Sequence, residues 1–283
     1  SVFKRTSFYV RYKNKYTSVL CFGNIPPPIK LSVPVYVYFH QQLFLDIPKN
    51  FTLINKAIYF FKQKVLDFYK NNATAWIVQN HLMKNKFKKK YLDIYDSDIK
   101  VLPFYPPLRI ESFRGIERKK NSFLYISNSS PHKNHRLLIE AFCNVFDKVS
   151  IGSLLVTIPS SSIELCQLIS EKLELGYPIL NVGFIDREKL TELYLSHEYL
   201  IFPSLAESFG LGLVEAIDAG CKVIASDLPY AYEVCKPSLT FDPYSIFSIE
   251  DAILNAIDSN LPYSEKIISN DIEQLISLLM DKP

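Results

Sequence analysis

Tyr199-Leu-Ile-Phe-Pro-Ser-Leu-Ala-Glu207-Ser-Phe-Gly210-Leu-Gly-Leu-Val-Glu215-Ala-Ile-Asp-Ala-Gly220, followed by Lys222-Val-Ile-Ala225, is the stretch that decides the fold. An apolar run ends at Phe202, a loop carries Glu207, and a Gly-containing turn opens a segment with helical spacing before the next apolar run. Strand, loop, helix and strand in that order imply parallel pairing. Gly210 and Gly212 let the backbone approach a ligand closely. The N–H groups of the first helical turn offer partial positive charge to an anion. Glu215 lies in the first turns of the helix, where its side chain leans back toward the N-terminus, so both carboxylates can border one pocket. The plainer alternative is a Glu that only offsets the helix dipole, beside a turn that binds nothing.

Working outward, the alternation continues on both sides. Strands are expected near Phe123 to Ser127, Ser153 to Thr157 and Ile179 to Val182. Helical patterns fall near His135 to Phe146, Ile163 to Leu173, Glu188 to Ser196 and Ser248 to Ile257. Ligands of such α/β sheets sit beyond the carboxyl ends of the strands, where the Glu207 loop lies. The first part reads β-α-β-α-β: an extended run from Leu31 to Phe39, helical spacing over 52–69, a strand at Ala75 to Val78, a basic helix at Leu82 to Tyr91 and a strand at Ile99 to Leu102. Pro103, Pro106 and Pro107 break the pattern, and the polar stretch after them reads as a linker. The division expected is a partial first domain over 1–110, a linker over 111–120, a second domain over 121–262 and a C-terminal helix over 263–283.

The 283 residues are 48% hydrophobic and 22% charged, which suits a globular chain of about two domains. A formal charge of +3 is too small to argue for nucleic acid. No apolar run approaches the ~20 residues that span a bilayer. Five Cys at 21, 143, 166, 221 and 235 are scattered, with no zinc-like spacing, as expected of reduced core thiols in a cytoplasmic protein. Five Lys within 84–90 form a solvated helix face or a peripheral contact with anionic lipid on the inner face of the membrane. The chain opens at Ser1-Val-Phe without Met or a signal pattern, which reads as an incomplete sequence.

Several ordered pieces carry a resemblance. Tyr125-Ile-Ser-Asn-Ser-Ser-Pro-His-Lys-Asn134, Asn181-Val-Gly-Phe184, Tyr194, Glu207-Ser-Phe-Gly210, Glu215-Ala216, Gly220 to Pro229 and Phe241-Asp-Pro243 resemble the donor domain of family 4 retaining glycosyltransferases, over about residues 121–260. The resemblance implies the B-type fold, two Rossmann-like domains facing across a cleft. The first domain here lacks the initial β-α units, with their Gly-rich loop, that the family shows.

By the same resemblance Glu207 lies against the transferred sugar and Glu215 binds the ribose hydroxyls. Lys133 contacts the donor diphosphate, and Ser208, Phe209, Gly210 and Leu211 line sugar and phosphate. His40, just past the Val35 to Phe39 strand, points toward the sugar. Many members carry an Arg where Asn128 stands, so one cation of the usual pair is absent. No metal or other cofactor is implied, since Asp96-Ser-Asp98 reads as a turn before a strand. The expected function is transfer from a nucleotide-diphosphate sugar to a glycan or lipid-linked acceptor in cell-surface polysaccharide or O-antigen synthesis. Glu207, Glu215 and Lys133 should then converge on one anionic donor. A noncatalytic nucleotide-sugar-binding remnant or scaffold stays open, as does a nucleotide-sugar epimerase of the same fold. An NAD-dependent dehydrogenase is disfavoured, because no Gly-x-Gly-x-x-Gly follows a first strand.

Overall fold

A computed structural model describes residues 2–47, 53–113 and 115–280. Thr52, Arg114 and residues 281–283, which the sequence placed in a helix, the linker and the C-terminal helix, lie outside the described residues. The elements run α1 (Val2–Tyr12), β1 (Val19–Cys21), β2 (Val35–Phe39), α2 (Leu53–Tyr69), β3 (Ala75–Val78), α3 (His81–Lys90) and β4 (Ile99–Val101). There follow β5 (Lys119–Tyr125), α4 (His135–Val149), β6 (Ser153–Val156), α5 (Ile163–Glu174), β7 (Ile179–Asn181), α6 (Arg187–Ser196), β8 (His197–Phe202), α7 (Leu211–Asp218) and β9 (Lys222–Ser226). The chain ends with α8 (Pro229–Tyr232), β10 (Cys235–Lys236), β11 (Leu239–Phe241), α9 (Ile246–Asp258), β12 (Glu265–Lys266) and α10 (Ile272–Met280).

Two units divide the chain: Ser1–Tyr105 with Ser269–Pro283, and Pro106–Ile268. Residues 106–120 therefore group with the second unit. Among the described residues of the expected C-terminal segment, Ile272–Met280 is helical, while Glu265–Lys266 pairs antiparallel with β10 in the second unit.

In the first unit β1, β2, β3 and β4 lie side by side in that order, all parallel, with Tyr36 opposite Ala75 and Trp76 opposite Ile99. Every residue of β2 and β3 is buried, which is why these runs read as continuous rather than alternating. On one face Val37, Phe39, Trp76 and Val78 pack with Leu66 of α2 and Met83 and Phe87 of α3. On the other, Tyr36, Tyr38, Ile77 and Leu102 pack with Leu275 of α10. Asp271 N–H donates to the Pro103 carbonyl at 2.7 Å and anchors the start of that last helix.

An apolar helix stripe ordinarily faces a core. On α2 it does not: Ile54, Ile58, Phe61 and Phe68 recur on one side, and Phe61 and Phe68 are 69% and 79% exposed, whereas Leu66 alone is buried.

The second unit holds a six-stranded parallel sheet in the order β11-β9-β8-β5-β6-β7. The chain lays β5, β6 and β7 outward in one direction, then returns through α6 to place β8 on the other side of β5 and adds β9 and β11 beyond it. Between β5 and β8 the direction of winding reverses. Loops leaving the carboxyl ends of two such strands diverge and leave a crevice, the usual ligand position of this class. The loop after β5 carries Lys133, and the loop after β8 carries Glu207.

Candidate functional site

Tyr125 is the last residue of β5 and is wholly buried, and its hydroxyl donates to the Lys133 carbonyl at 2.8 Å. That bond fixes the tight turn Pro131–Lys133, which Asn134 closes in a left-handed conformation (φ 59°) before α4 begins. The Leu205 N–H donates to the His132 carbonyl at 2.7 Å, and the buried Tyr230 hydroxyl holds the Ser204 carbonyl at 2.7 Å. The loops after β5 and β8 are thereby stitched together. The result is an ion pair: Lys133 Nζ lies 2.5 Å from Glu207 Oε1, with both side chains only 12% exposed. The ammonium also stands 5.8 Å from the Phe202 ring centre.

Glu215 sits in a second environment. Its Oε2 accepts from the buried Tyr194 hydroxyl at 3.1 Å, and Arg187 Nη1 stands 2.8 Å from Oε1, close in distance but off the line of a directed hydrogen bond. Both partners belong to α6. Burial pushes the Glu215 carboxyl up, against the opposing pull of Arg187 and the Tyr194 hydrogen bond. Lys133, Glu207 and Glu215, expected to converge on one donor, thus have two separate sets of partners in the free protein. Lys133 is held by Glu207, whereas Glu215 is paired with a different cation, Arg187.

The two environments adjoin through Gly212. A Cβ there would come within 3.3 Å of the Phe202 ring and 3.4 Å of the Tyr194 hydroxyl, so this glycine makes room for internal packing. Gly210 is the position that needs its backbone freedom, with φ of 84° at the start of α7 and Leu213 Cδ1 only 3.1 Å from where a Cβ would stand. Gly210→Ala should cost about 1–2 kcal/mol from the left-handed conformation. Thermal melts should show a Tm lower by roughly 2–8 °C for a unit of this size. An unchanged Tm would contradict the strained turn.

The Asn128 side chain turns inward to its own loop, accepting from the Ser130 N–H at 3.0 Å, while its carbonyl meets Nε2 of buried His135 at 2.9 Å. Burial brings His135 down to about 4, so this imidazole is neutral and structural. Phe209 is buried beside Gly210, while Ser208 and Leu211 are partly exposed. His40 lies in the first unit at the carboxyl end of β2. Its backbone N–H donates to Asn24 Oδ1 at 2.8 Å, and burial lowers its pKa.

Most of the lysine run is tied to its own fold. Lys84 pairs with Asp96 at 2.9 Å, Lys88 donates to the Ile94 carbonyl, and Lys90 donates to the Phe44 carbonyl at 2.8 Å. Asp96 thus serves a short turn with Asp98. All five cysteines are free and four are buried. Among the described residues no helix is long and apolar enough to cross a membrane.

Arg187 is the site residue that the sequence reading missed. It opens α6 within Asp186-Arg-Glu-Lys, which reads as a solvated helix start. The available signal was a cation at the positive end of a helix dipole, where a carboxylate is the favourable choice.

A parallel sheet with an acidic, glycine-bearing loop at its winding reversal defines a doubly wound α/β protein with a ligand site at that reversal. Residues 109–274, more than half of the chain, match the model for glycosyl transferases group 1, and the chain belongs to that family. It is 28% identical over 141 residues to O-antigen chain mannosyltransferase B of Escherichia coli, a match that covers 48% of this chain and 37% of that protein. It is 28% identical over 180 residues to O-antigen chain mannosyltransferase RfbU of Salmonella typhimurium, covering 62% and 49%. These matches take in less than half the length of either relative. Among solved structures, S. aureus TarM in complex with UDP superposes with a TM-score of 0.63 at 17% identity, covering 80% of this chain and 44% of that one. This likeness supports the B-type glycosyltransferase fold.

Proposed function

We propose that the protein transfers a sugar, with retention of anomeric configuration, from a nucleotide-diphosphate sugar to a glycan or lipid-linked acceptor in cell-surface polysaccharide or O-antigen assembly. The observation that carries this reading is the Lys133–Glu207 pair at the sheet's winding reversal. A lysine already held by a carboxylate is a cation that a diphosphate can take over, and the exchange turns Glu207 from that lysine toward the sugar. In the reaction proposed, the bond from the anomeric carbon to the diphosphate oxygen breaks and the acceptor hydroxyl bonds to the same face. The acceptor's proton passes to the departing phosphate. Lys133 and the backbone at 208–211, with Asn128 from the loop after β5, are assigned to stabilise the growing charge on that phosphate. Glu215 takes the ribose diol. His40, kept neutral by burial, is assigned to a sugar hydroxyl on its own chemistry.

The test is a panel of sugar nucleotides in EDTA, read first as thermal stabilisation and then as transfer to lipid-linked glycans. Stabilisation followed by metal-independent transfer is the expected result. Stabilisation without turnover would favour the binding-only reading, and conversion of the sugar without acceptor would favour an epimerase. No stabilisation by any donor would remove the proposal.

The acceptor reading extends to a peripheral contact with anionic lipid on the inner face of the membrane. Its support is the exposed stripe of α2 flanked by exposed Lys62 and Lys64. The protein is expected to sediment with vesicles containing phosphatidylglycerol, and Phe61→Ser with Phe68→Ser to release it. Equal sedimentation of the double variant would count against this surface.

A further inference from the structure

Arg187 and Tyr194 are seven residues apart on α6 and so lie on one side of it, and they hold the two oxygens of Glu215. The guanidinium does more than pair. Its Nη2 donates to the Pro106 carbonyl at 2.6 Å, so one arm rests on Glu215 and the other on that carbonyl. The same side chain lines a cavity of about 650 Å³ with Pro106, Leu108, Arg109 and Phe113. A guanidinium fixed at both ends is a rigid fork and cannot swing without losing one contact. Glu215 by contrast keeps unused capacity: the side chain is 6% exposed, yet Oε1 lacks a directed donor. A buried acceptor left with free lone pairs costs stability unless a ligand uses it.

We propose that Arg187 is a positioning residue for nucleotide binding, aiming the Glu215 carboxylate at a vicinal diol and so setting a preference for ribose over deoxyribose. This rests on the reading that Glu215 receives the ribose. Two hydroxyls on adjacent carbons need both carboxylate oxygens presented on one edge. Arg187 and Tyr194 both approach from α6, and the proposal gives the lone pairs that they do not use to the diol. The groups facing Glu215 are Arg187 and Tyr194 from α6 and Asp218 from its own helix, with Cys221 at the start of β9 touching Tyr194. Tyr194 and Cys221 are held protonated at neutral pH by burial; burial raises the Glu215 carboxyl, Arg187 and the Tyr194 hydrogen bond lower it, and Asp218 adds a smaller upward push. Removing the guanidinium turns the carboxylate loose and raises its pKa further.

The experiment is calorimetric titration of the full chain with GDP, UDP and ADP, each beside its 2′-deoxy counterpart, and with inorganic pyrophosphate. For whichever base binds, wild type is expected to prefer the ribose form about ten-fold or more, the worth of one hydrogen bond to a charged acceptor. Arg187→Ala should bring the ribose form down to the deoxy level while pyrophosphate affinity stays unchanged. In that variant ribonucleotide affinity should climb with pH over a range where wild type is flat, because the unpaired carboxyl ionises later. Arg187→Lys keeps the charge without the fork, so it should restore the flat profile and recover only part of the preference. A merely structural role would alter Tm without moving the ratio or the profile. Nucleotide binding with the wild-type ratio and profile in both variants overturns the assignment alone, as does a wild-type preference below two-fold. No nucleoside diphosphate binding by wild type overturns it together with the reading of the site.

Discussion

Glu207→Ala is expected to lower kcat by about 10²–10³, the usual cost of losing one preorganised electrostatic contact to the transition state, and to leave nucleoside diphosphate affinity equal to wild type or higher. The split follows from the ion pair. In the free protein the Lys133 ammonium is held 2.5 Å from Glu207, and a diphosphate must compete with that carboxylate for it. Deleting the carboxylate removes the competitor, so binding is spared, while the group assigned to the sugar is gone. The variant should also be less stable without ligand. An ammonium in a site that is 12% exposed, stripped of its partner, costs on the order of 3 kcal/mol, or about 6–12 °C in Tm. Saturating nucleoside diphosphate should restore part of that loss by supplying a new anion. Single-turnover transfer together with thermal melts reads both quantities. Wild-type turnover in this variant would remove Glu207 from the chemistry, and a matching loss of nucleotide affinity would recast it as a binding residue.

Glu215→Ala should abolish the thermal stabilisation by nucleoside diphosphate beyond what pyrophosphate gives. At ligand near a hundred times Kd, wild type gains about 2.7 kcal/mol, a shift of roughly 5–10 °C in Tm. The variant is expected to shift by no more than pyrophosphate achieves. The two deletions differ in what they strand. Arg187 is 41% exposed on its side chain and keeps the Pro106 carbonyl, so it tolerates the loss. Tyr194 is wholly buried and loses the acceptor for its hydroxyl, at a cost of about 1–3 kcal/mol. Glu215→Gln retains an acceptor for that hydroxyl and separates the two effects. Full stabilisation by nucleotide in either variant would move the ribose elsewhere.

Most strands were legible because burial on both faces leaves an unmistakable mark. Ala75 to Val78 is a continuous apolar run whose bounds the structure reproduces, and the run expected from Leu31 to Phe39 is a strand from Val35 onward. Elements of another kind escaped. β1 and β11, of three residues each, were not singled out, and α1 places Thr6, Ser7 and three basic residues in eleven positions. For α2 the spacing announced a helix and misled about its surroundings, since periodicity records that a stripe exists and not what covers it.

At the site, the glycine and acidic pattern stood out because Gly210 and the carboxylates lie within nine positions of one another, Glu207 in the loop and Glu215 on α7. Pairing was not readable. Lys133 meets Glu207 across 74 residues and Arg187 meets Glu215 across 28, through contacts set by the order in which the sheet is wound. No spacing rule along the chain encodes that order.

The docking of α10 has a bearing on how this protein is made. About 170 residues separate the end of β4 from Ile272. At translation rates of 5–20 residues per second, Tyr36, Tyr38, Ile77 and Leu102 wait on the order of ten seconds or more for Leu275 to arrive. During that wait a greasy sheet surface stands open to chaperones or to neighbouring nascent chains, and a ribosome that stalls before Ile272 would release a product unable to cover it.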